Sequence, residues 1–150
     1  ASKAITILID ENNTLYYFKG KPDGGTDIPN EGKLFATTYG KNGLRKVLLE
    51  SNPQAVKAVQ ALKDKYARMV TSNVQQEQKQ KAQFKEELNK IKNAEYTPSV
   101  IIKASDKATY DNLIQVLDEM QICSIGRYVI DKFADGDRLK IEALKNGTAQ

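Results

Sequence analysis

The chain has 150 residues, of which 40% are hydrophobic and 28% charged, a composition typical of a soluble globular protein with one domain. With no histidine and a single cysteine, Cys123, it lacks the residues for a Ser-His-Asp or Cys-His nucleophile, for a His-ligated or Cys-rich metal site and for an intrachain disulfide. The net charge of +4 comes from residues 53–97, where nine basic and five acidic side chains spread along a Gln-rich segment, so a solvated helix surface explains it better than a nucleic-acid groove.

The first two predicted strands form a hairpin. Residues 4–10 alternate loosely, and three isoleucines share one face: Ile5, Ile7 and Ile9. Residues 15–19 are aromatic and β-prone, and the polar cluster at 10–13 supplies the turn between the two strands. Residues 20–32 are rich in glycine and proline and predict a loop without a phosphate-binding glycine pattern. Residues 34–39 can be extended or part of that loop.

A short helix with Asn42 as its N-cap is predicted next, from an apolar face formed by Leu44, Val47 and Leu48. Asn52-Pro53 ends this helix or redirects the chain. The following segment, about 53–95, contains no glycine and no further proline, which predicts a long helical insertion. It can form a helical hairpin that turns near residues 71–73, or one helix of about 60 Å that projects and pairs with a partner as a coiled coil.

The apolar residues of this insertion form two stripes at helical spacing: Val56, Val59, Leu62, Tyr66, Met69 and Val70, then Phe84, Leu88 and Ile91. In the hairpin arrangement the two stripes bury each other.

Residues 97–133 predict a strand, a helix and a second strand. An apolar β-branched run follows Pro98, and Asp106 or Ser105 is the predicted N-cap of the helix. Its apolar positions recur at helical spacing: Tyr110, Leu113, Ile114, Leu117 and Met120. The ring of Tyr110 is expected in the core. Gly126 marks the exit into the second strand, which a right-handed crossover places parallel to the first.

Cys123 follows this helix between Ile122 and Ile125, and we expect it to pack as a small hydrophobic residue rather than to act as a reactive thiol. Residues 134–137 then predict a hairpin turn, and residues 138–142 alternate as an edge strand does. The predicted order is β-β-α-β-α-β-β plus the long helical insertion. This is a single α+β domain, residues 1–150, with a five-stranded mixed sheet and two helices packed on one face.

The chain resembles the ExbD/TolR family, and more narrowly the ExbD-type biopolymer transport proteins of Bacteroidetes. The residues that carry the resemblance are KASD at 103–106, Tyr110, VLD at 116–118 and CSIGRY at 123–128. The family has a short cytoplasmic tail, one membrane helix and a periplasmic α/β domain. No apolar run in the chain reaches the roughly 20 residues of a membrane helix, and the N-terminus has no signal peptide. The resemblance therefore implies the periplasmic domain of a single-pass inner-membrane protein, with the membrane helix upstream of residue 1.

The resemblance also implies function: a homodimer that acts with a pentameric ExbB-like membrane partner and a TonB-like protein, using proton flux to power outer-membrane transport. A TolR-like member would instead bind peptidoglycan. We expect no enzymatic activity, cofactor, metal or nucleic acid. Turn chemistry explains the carboxylate pair Asp135/Asp137, and solvation on a helix surface explains Asp118/Glu119.

The margins of the predicted sheet are the candidate partner-binding surfaces, because their unpaired N–H and C=O groups can accept another strand. The candidate residues are Arg127 and Tyr128 at the start of one strand, and Arg138 and Lys140 on the last. A small-ligand-binding α/β domain is the alternative, with its crevice at the C-terminal ends of the parallel strands. A pocket lined by polar groups at that place would favour it.

Overall fold

A five-stranded mixed sheet forms the centre of the molecule in the computed structural model, which describes residues 4–22 and 30–147. The strands are β1 (Ala4–Ile9), β2 (Leu15–Lys19), β3 (Phe35–Thr37), β4 (Ser99–Ala104) and β5 (Tyr128–Lys132). The helices are α1 (Leu44–Glu50), α2 (Pro53–Ala67), α3 (Val74–Lys92), α4 (Tyr110–Ile122) and α5 (Asp135–Lys145). Residues 23–29 of the predicted glycine-rich loop lie outside the described residues.

The strands lie in the order β3-β2-β1-β4-β5. β1 pairs antiparallel with β2, which pairs antiparallel with β3, whereas β1, β4 and β5 are parallel. The α+β class, the mixed sheet of five strands, the N-terminal hairpin and the strand-helix-strand crossover are therefore confirmed.

One face of the sheet carries the larger core, because side chains alternate along each strand. Ile5, Ile7 and Ile9 of β1 pack there beside Val100 and Ile102 of β4. α1 and α4 cover this face with further fully or almost fully buried side chains: Leu44, Leu48, Val116 and Met120. This is the predicted layer of two helices on one face.

The opposite face is covered by α5, and here the predicted C-terminal hairpin and edge strand are wrong. Residues 135–145 are helical, and Ile141 and Leu144 pack on the side of the sheet that carries Leu8 and Phe18. In the helix Ile141 and Leu144 are three positions apart and share the buried face, while Leu139, which alternates with Ile141, is exposed. The fifth strand is β3, from the segment that the sequence left ambiguous.

Two capping predictions are corrected as well. α4 begins with a capping box in which the Asn112 N–H donates to Thr109 Oγ1 at 3.1 Å and the Thr109 N–H donates to Asn112 Oδ1 at 3.2 Å, so neither Asp106 nor Ser105 is the cap. Ser105 donates instead to Asp10. The N-cap of α1 is the residue after Asn42, Gly43, which makes no side-chain cap.

The prediction that Tyr110 packs into the core is wrong, because it occupies the first turn of α4 and its side chain is 77% exposed.

The helical insertion is a hairpin of α2 and α3, which decides between the two arrangements left open. The chain turns at 68–73, and the Asn73 side chain caps α3 by accepting the Gln76 N–H at 2.8 Å. Inside the hairpin the rings of Tyr66 and Phe84 meet edge to face, with centroids 5.2 Å apart. The hydroxyl of Tyr66 donates to Glu87, which also pairs with a lysine. The predicted break at residues 71–73 therefore lies within the turn.

Candidate partner-binding surface

β5 is an edge strand whose side chains are all exposed. Three of them are large and apolar, with exposed fractions of 39% for Tyr128, 58% for Val129 and 56% for Ile130. The two core clusters take their strand residues from β1, β2 and β4, and neither cluster includes a residue of β5. A flat, apolar edge of this kind is a template for another strand.

The hydrogen-bonding pattern tells which groups of β5 face outward. The Val100 N–H donates to the carbonyl of Arg127 at 2.9 Å, and Val100 lies opposite Tyr128 in the register. In a parallel ladder, alternate residues of a strand bond to the same neighbour. Arg127, Val129 and Asp131 therefore bond to β4, while the N–H and C=O groups of Tyr128 and Ile130 point to the open edge.

Arg127 anchors the start of this strand. Its guanidinium donates to the carbonyl of Thr97 and, at 3.4 Å, to that of Glu95, just before β4. Its Nε atom is buried and has no hydrogen-bond partner among the described residues. Tyr128 lies next to it on the open edge, and of these two candidates it has the more exposed side chain.

Arg138 and Lys140 lie on α5 and are engaged in contacts within the fold. Arg138 donates two hydrogen bonds, of 2.7 and 2.9 Å, to the carboxylate of Asp10 at the end of β1. Lys140 donates to the carbonyl of Gly32 at 2.6 Å and lies 5.2 Å from the centroid of the Phe18 ring. Among the described residues no hydrogen bond or ion pair joins this pair to Arg127 or Tyr128, so the four candidates fall into two groups.

Asp10 is fully buried, and the hydroxyl of Ser105 donates to it at 2.8 Å. The hydrogen bonds from Arg138 hold the pKa of this carboxyl far below its ordinary value, and this effect outweighs burial, which acts in the opposite direction. Asp10, which the sequence predicts as part of a polar turn, thus joins β1, β4 and α5.

A cleft of about 510 Å³ opens at the C-terminal ends of β4 and β5. It is lined by Phe133 and by acidic and basic side chains, which are Asp106, Asp131, Lys132, Asp135 and Arg138. It lies at the place expected for a ligand crevice, beyond the carboxyl ends of parallel strands. Arg138 is already bound to Asp10. The exposed carboxylates of Asp106, Asp131 and Asp135 are therefore the candidate ligand-binding groups of the cleft.

The remaining candidates for chemistry have structural roles. Cys123 is buried, and burial raises the pKa of its thiol to about 12. The prediction that Glu119 lies on a solvated helix surface is wrong, because this residue is buried. It forms an ion pair of 2.9 Å with Arg45, which joins α4 to α1. Asp137 is in the first turn of α5 and accepts the N–H of Ala134 at 2.8 Å, so it caps a helix rather than a hairpin turn.

Within residues 4–22 and 30–147, no group of three His, Cys, Asp or Glu side chains could hold a metal ion. None of the helices found there combines the length and apolar character needed to cross a bilayer.

Comparison with known families complements this geometry. The family model described as "Biopolymer transport protein ExbD/TolR" matches residues 1–135, a range that includes all five strands and the α2–α3 hairpin. No curated protein and no solved structure matches the chain. The chain belongs to the ExbD/TolR family of biopolymer transport proteins.

Proposed function

We propose that this chain is the periplasmic domain of a single-pass inner-membrane subunit that passes proton-driven motion from an ExbB-type membrane pentamer to a TonB-type protein, which serves outer-membrane transport. In this role the domain performs no bond chemistry and acts by binding partners. The family supports the general role in biopolymer transport. The observation that carries the mode of action is the exposed apolar edge of β5.

The β5 edge is proposed to accept an extended strand. The outward N–H and C=O groups of Tyr128 and Ile130 supply the main-chain hydrogen bonds, and the side chains of both residues lie on the sheet face that carries Val100 and Ile102. In a homodimer a twofold axis requires the two β5 strands to run antiparallel, which joins two sheets into one. An extended segment of a TonB-type protein would use the same groups, so the two partners compete.

The variant Ile130→Pro tests this mode of binding. Proline removes an outward N–H, and edge strands tolerate it where that N–H faces solvent, so the pairing of β5 with β4 should survive. Ile130→Thr is the matched control, because it keeps the N–H and the β-branched side chain. We expect Ile130→Pro to weaken dimerisation, measured by analytical ultracentrifugation, and TonB-domain binding, measured by calorimetry, by at least about tenfold, as one or two lost hydrogen bonds imply. The threonine variant should bind as the wild type does.

Equal binding by the proline and wild-type chains would reject the edge as the binding surface. A wild-type chain that remains monomeric at high concentration and binds neither a TonB periplasmic domain nor peptidoglycan would reject the function as a whole. Binding to peptidoglycan fragments alone would instead support the TolR-like alternative.

Small-ligand binding is a second candidate function, and the polar cleft beside β5 favours it. Its exposed carboxylates, on Asp106, Asp131 and Asp135, suit a small cationic ligand such as a diamino acid. Chemical-shift changes confined to the cleft on titration with lysine, and lost in Asp131→Asn/Asp135→Asn, would support this candidate. A flat titration would remove it.

A further inference from the structure

The α2–α3 hairpin is attached to one end of the sheet. At its base the Asn52 side chain donates to the carbonyl of Cys123 at 3.3 Å, and the Gly126 N–H donates to the carbonyl of Lys92 at 3.0 Å. Both contacts lie just before β5 begins. Because β1, β4 and β5 are parallel, the base lies at the end of the sheet where all three strands start.

The distal part of the hairpin does not contribute to the sheet. Within the described part of the chain, the hydrogen bonds and ion pairs of residues 63–86 all stay inside the hairpin. α3 alone is about 28 Å long at 1.5 Å per residue. The tip of the hairpin, residues 68–74, exposes two aliphatic side chains, Val70 at 79% and Val74 at 67%. No packing requirement within the described residues explains aliphatic side chains at this position.

The hairpin carries the surplus positive charge of the chain. Residues 53–97 hold nine basic and five acidic side chains, while the rest of the chain balances at fourteen of each, so this segment carries the whole surplus of +4. Arg68 in the turn and Lys79 near the start of α3 are exposed and form no ion pair with the described residues. The acids nearest the tip are engaged: Glu77 pairs with Lys81 at 3.2 Å and Asp64 accepts from Gln60 at 3.0 Å.

We propose that the tip of the hairpin binds an anionic lipid surface. Arg68 and Lys79 would contact the phosphate headgroups, and Val70 and Val74 would enter the boundary between headgroups and acyl chains, the arrangement of peripheral membrane segments. A stable protein interface covers about 800 Å² on each partner, whereas this tip and the adjoining start of α3 offer two exposed aliphatic side chains and two exposed cations. A soluble polyanion would account for the cations and leave the valines unexplained. The inference rests on the proposed function in one respect, that the domain works beside the inner membrane.

The test is sedimentation of the chain with vesicles. Vesicles of phosphatidylcholine with about one third phosphatidylglycerol should bind the wild-type chain, with an affinity that falls as salt rises. Vesicles of phosphatidylcholine alone should bind at least about tenfold more weakly. Arg68→Glu/Lys79→Glu should lower the affinity by about thirtyfold or more, as the loss of two surface cations implies. Val70→Ser/Val74→Ser, which removes the aliphatic side chains without changing the charge, should also lower it, without loss of helix in circular dichroism.

Two matched controls keep this test specific to the tip. Leu139→Asp removes an aliphatic side chain that is 69% exposed on α5, and Lys145→Glu reverses an exposed charge on the same helix. Neither should change vesicle binding. Ile130→Pro should also retain it, so a failure of edge pairing and a failure of lipid binding remain distinguishable.

Equal binding to neutral and anionic vesicles, no binding to either, or tip variants that bind as the wild type does would overturn the proposal. Loss of binding in the charge variant with full binding in the valine variant would also overturn it, because a polyanion site would then suffice.

Discussion

The ion pair of Arg138 with Asp10 joins α5 to the end of β1, as the ion pair of Asp137 with Lys103 at 3.2 Å joins α5 to β4. Asp10 is fully buried, whereas the Arg138 side chain is 34% exposed and also lies 5.1 Å from the centroid of the Phe133 ring. The sequence predicts Arg138 as a partner-binding residue on an edge strand. Its helical position and its engagement with Asp10 support a structural role instead.

Arg138→Ala should destabilise the chain, because it leaves a buried carboxylate whose strongest partner has gone. Removing one member of a fully buried pair costs about 3–5 kcal/mol. Solvent screens part of this pair at its exposed arginine, so we expect about 2 kcal/mol, measured by urea unfolding. Lys145→Ala on the same helix should change the free energy of unfolding by less than about 0.5 kcal/mol. Equal stability of the two variants would contradict the structural role.

At the scale of elements, the strands and helices with strong local signals were predictable and those of short segments were not. The β-branched runs of β1 and β4 and the amphipathic α4 followed from their periodicity. α5 did not, because Leu139 and Ile141 are two positions apart and together fit one face of a strand, whereas the buried face of the helix is formed by Ile141 and Leu144. The helix is selected by burial of Ile141 beside Leu8 and Phe18.

We expect the distal part of the hairpin to contribute little to the stability of the sheet, whereas its base is bonded to the segment before β5. Replacing residues 64–86 by a four-residue Asn/Gly turn removes side chains that bond only within the hairpin, so the free energy of unfolding should change by less than about 1 kcal/mol. As a contrast, Leu48→Ala in α1 empties a fully buried site and should cost about 2–5 kcal/mol. Urea unfolding of both variants measures this. A truncation as costly as Leu48→Ala would show that the hairpin supports the core.

At the scale of the whole molecule, helices on both faces leave only the margins of the sheet for other strands. β1 is central, with β2 and β4 as its neighbours. The buried carboxylate of Asp10 at the end of β1 joins the sheet to α5. The acid stability of the molecule should therefore reflect this residue.

Asp10 has a folded pKa far below its ordinary value of 3.8. The folded state thus binds fewer protons than the unfolded state, and the stabilisation is present above pH 3.8 and lost as the pH falls below it. We expect Asp10→Asn to be less stable than the wild type at pH 7, with a difference that narrows below about pH 4. Urea unfolding across pH 2–7 measures the difference, and a gap that stays constant would contradict this assignment.

The sequence by itself determined the family, the α+β class, the hairpin of β1 and β2, the β4–α4–β5 crossover and the helical character of the insertion. These features rest on local periodicity, propensity and turn residues, which need no knowledge of distant contacts. Only the tertiary structure decided that the insertion folds back on itself, that α5 covers the second face, and that β5 is left as an open apolar edge. Each of these depends on which distant surfaces bury one another, and the sequence pattern of a short segment does not indicate which surface that segment packs against.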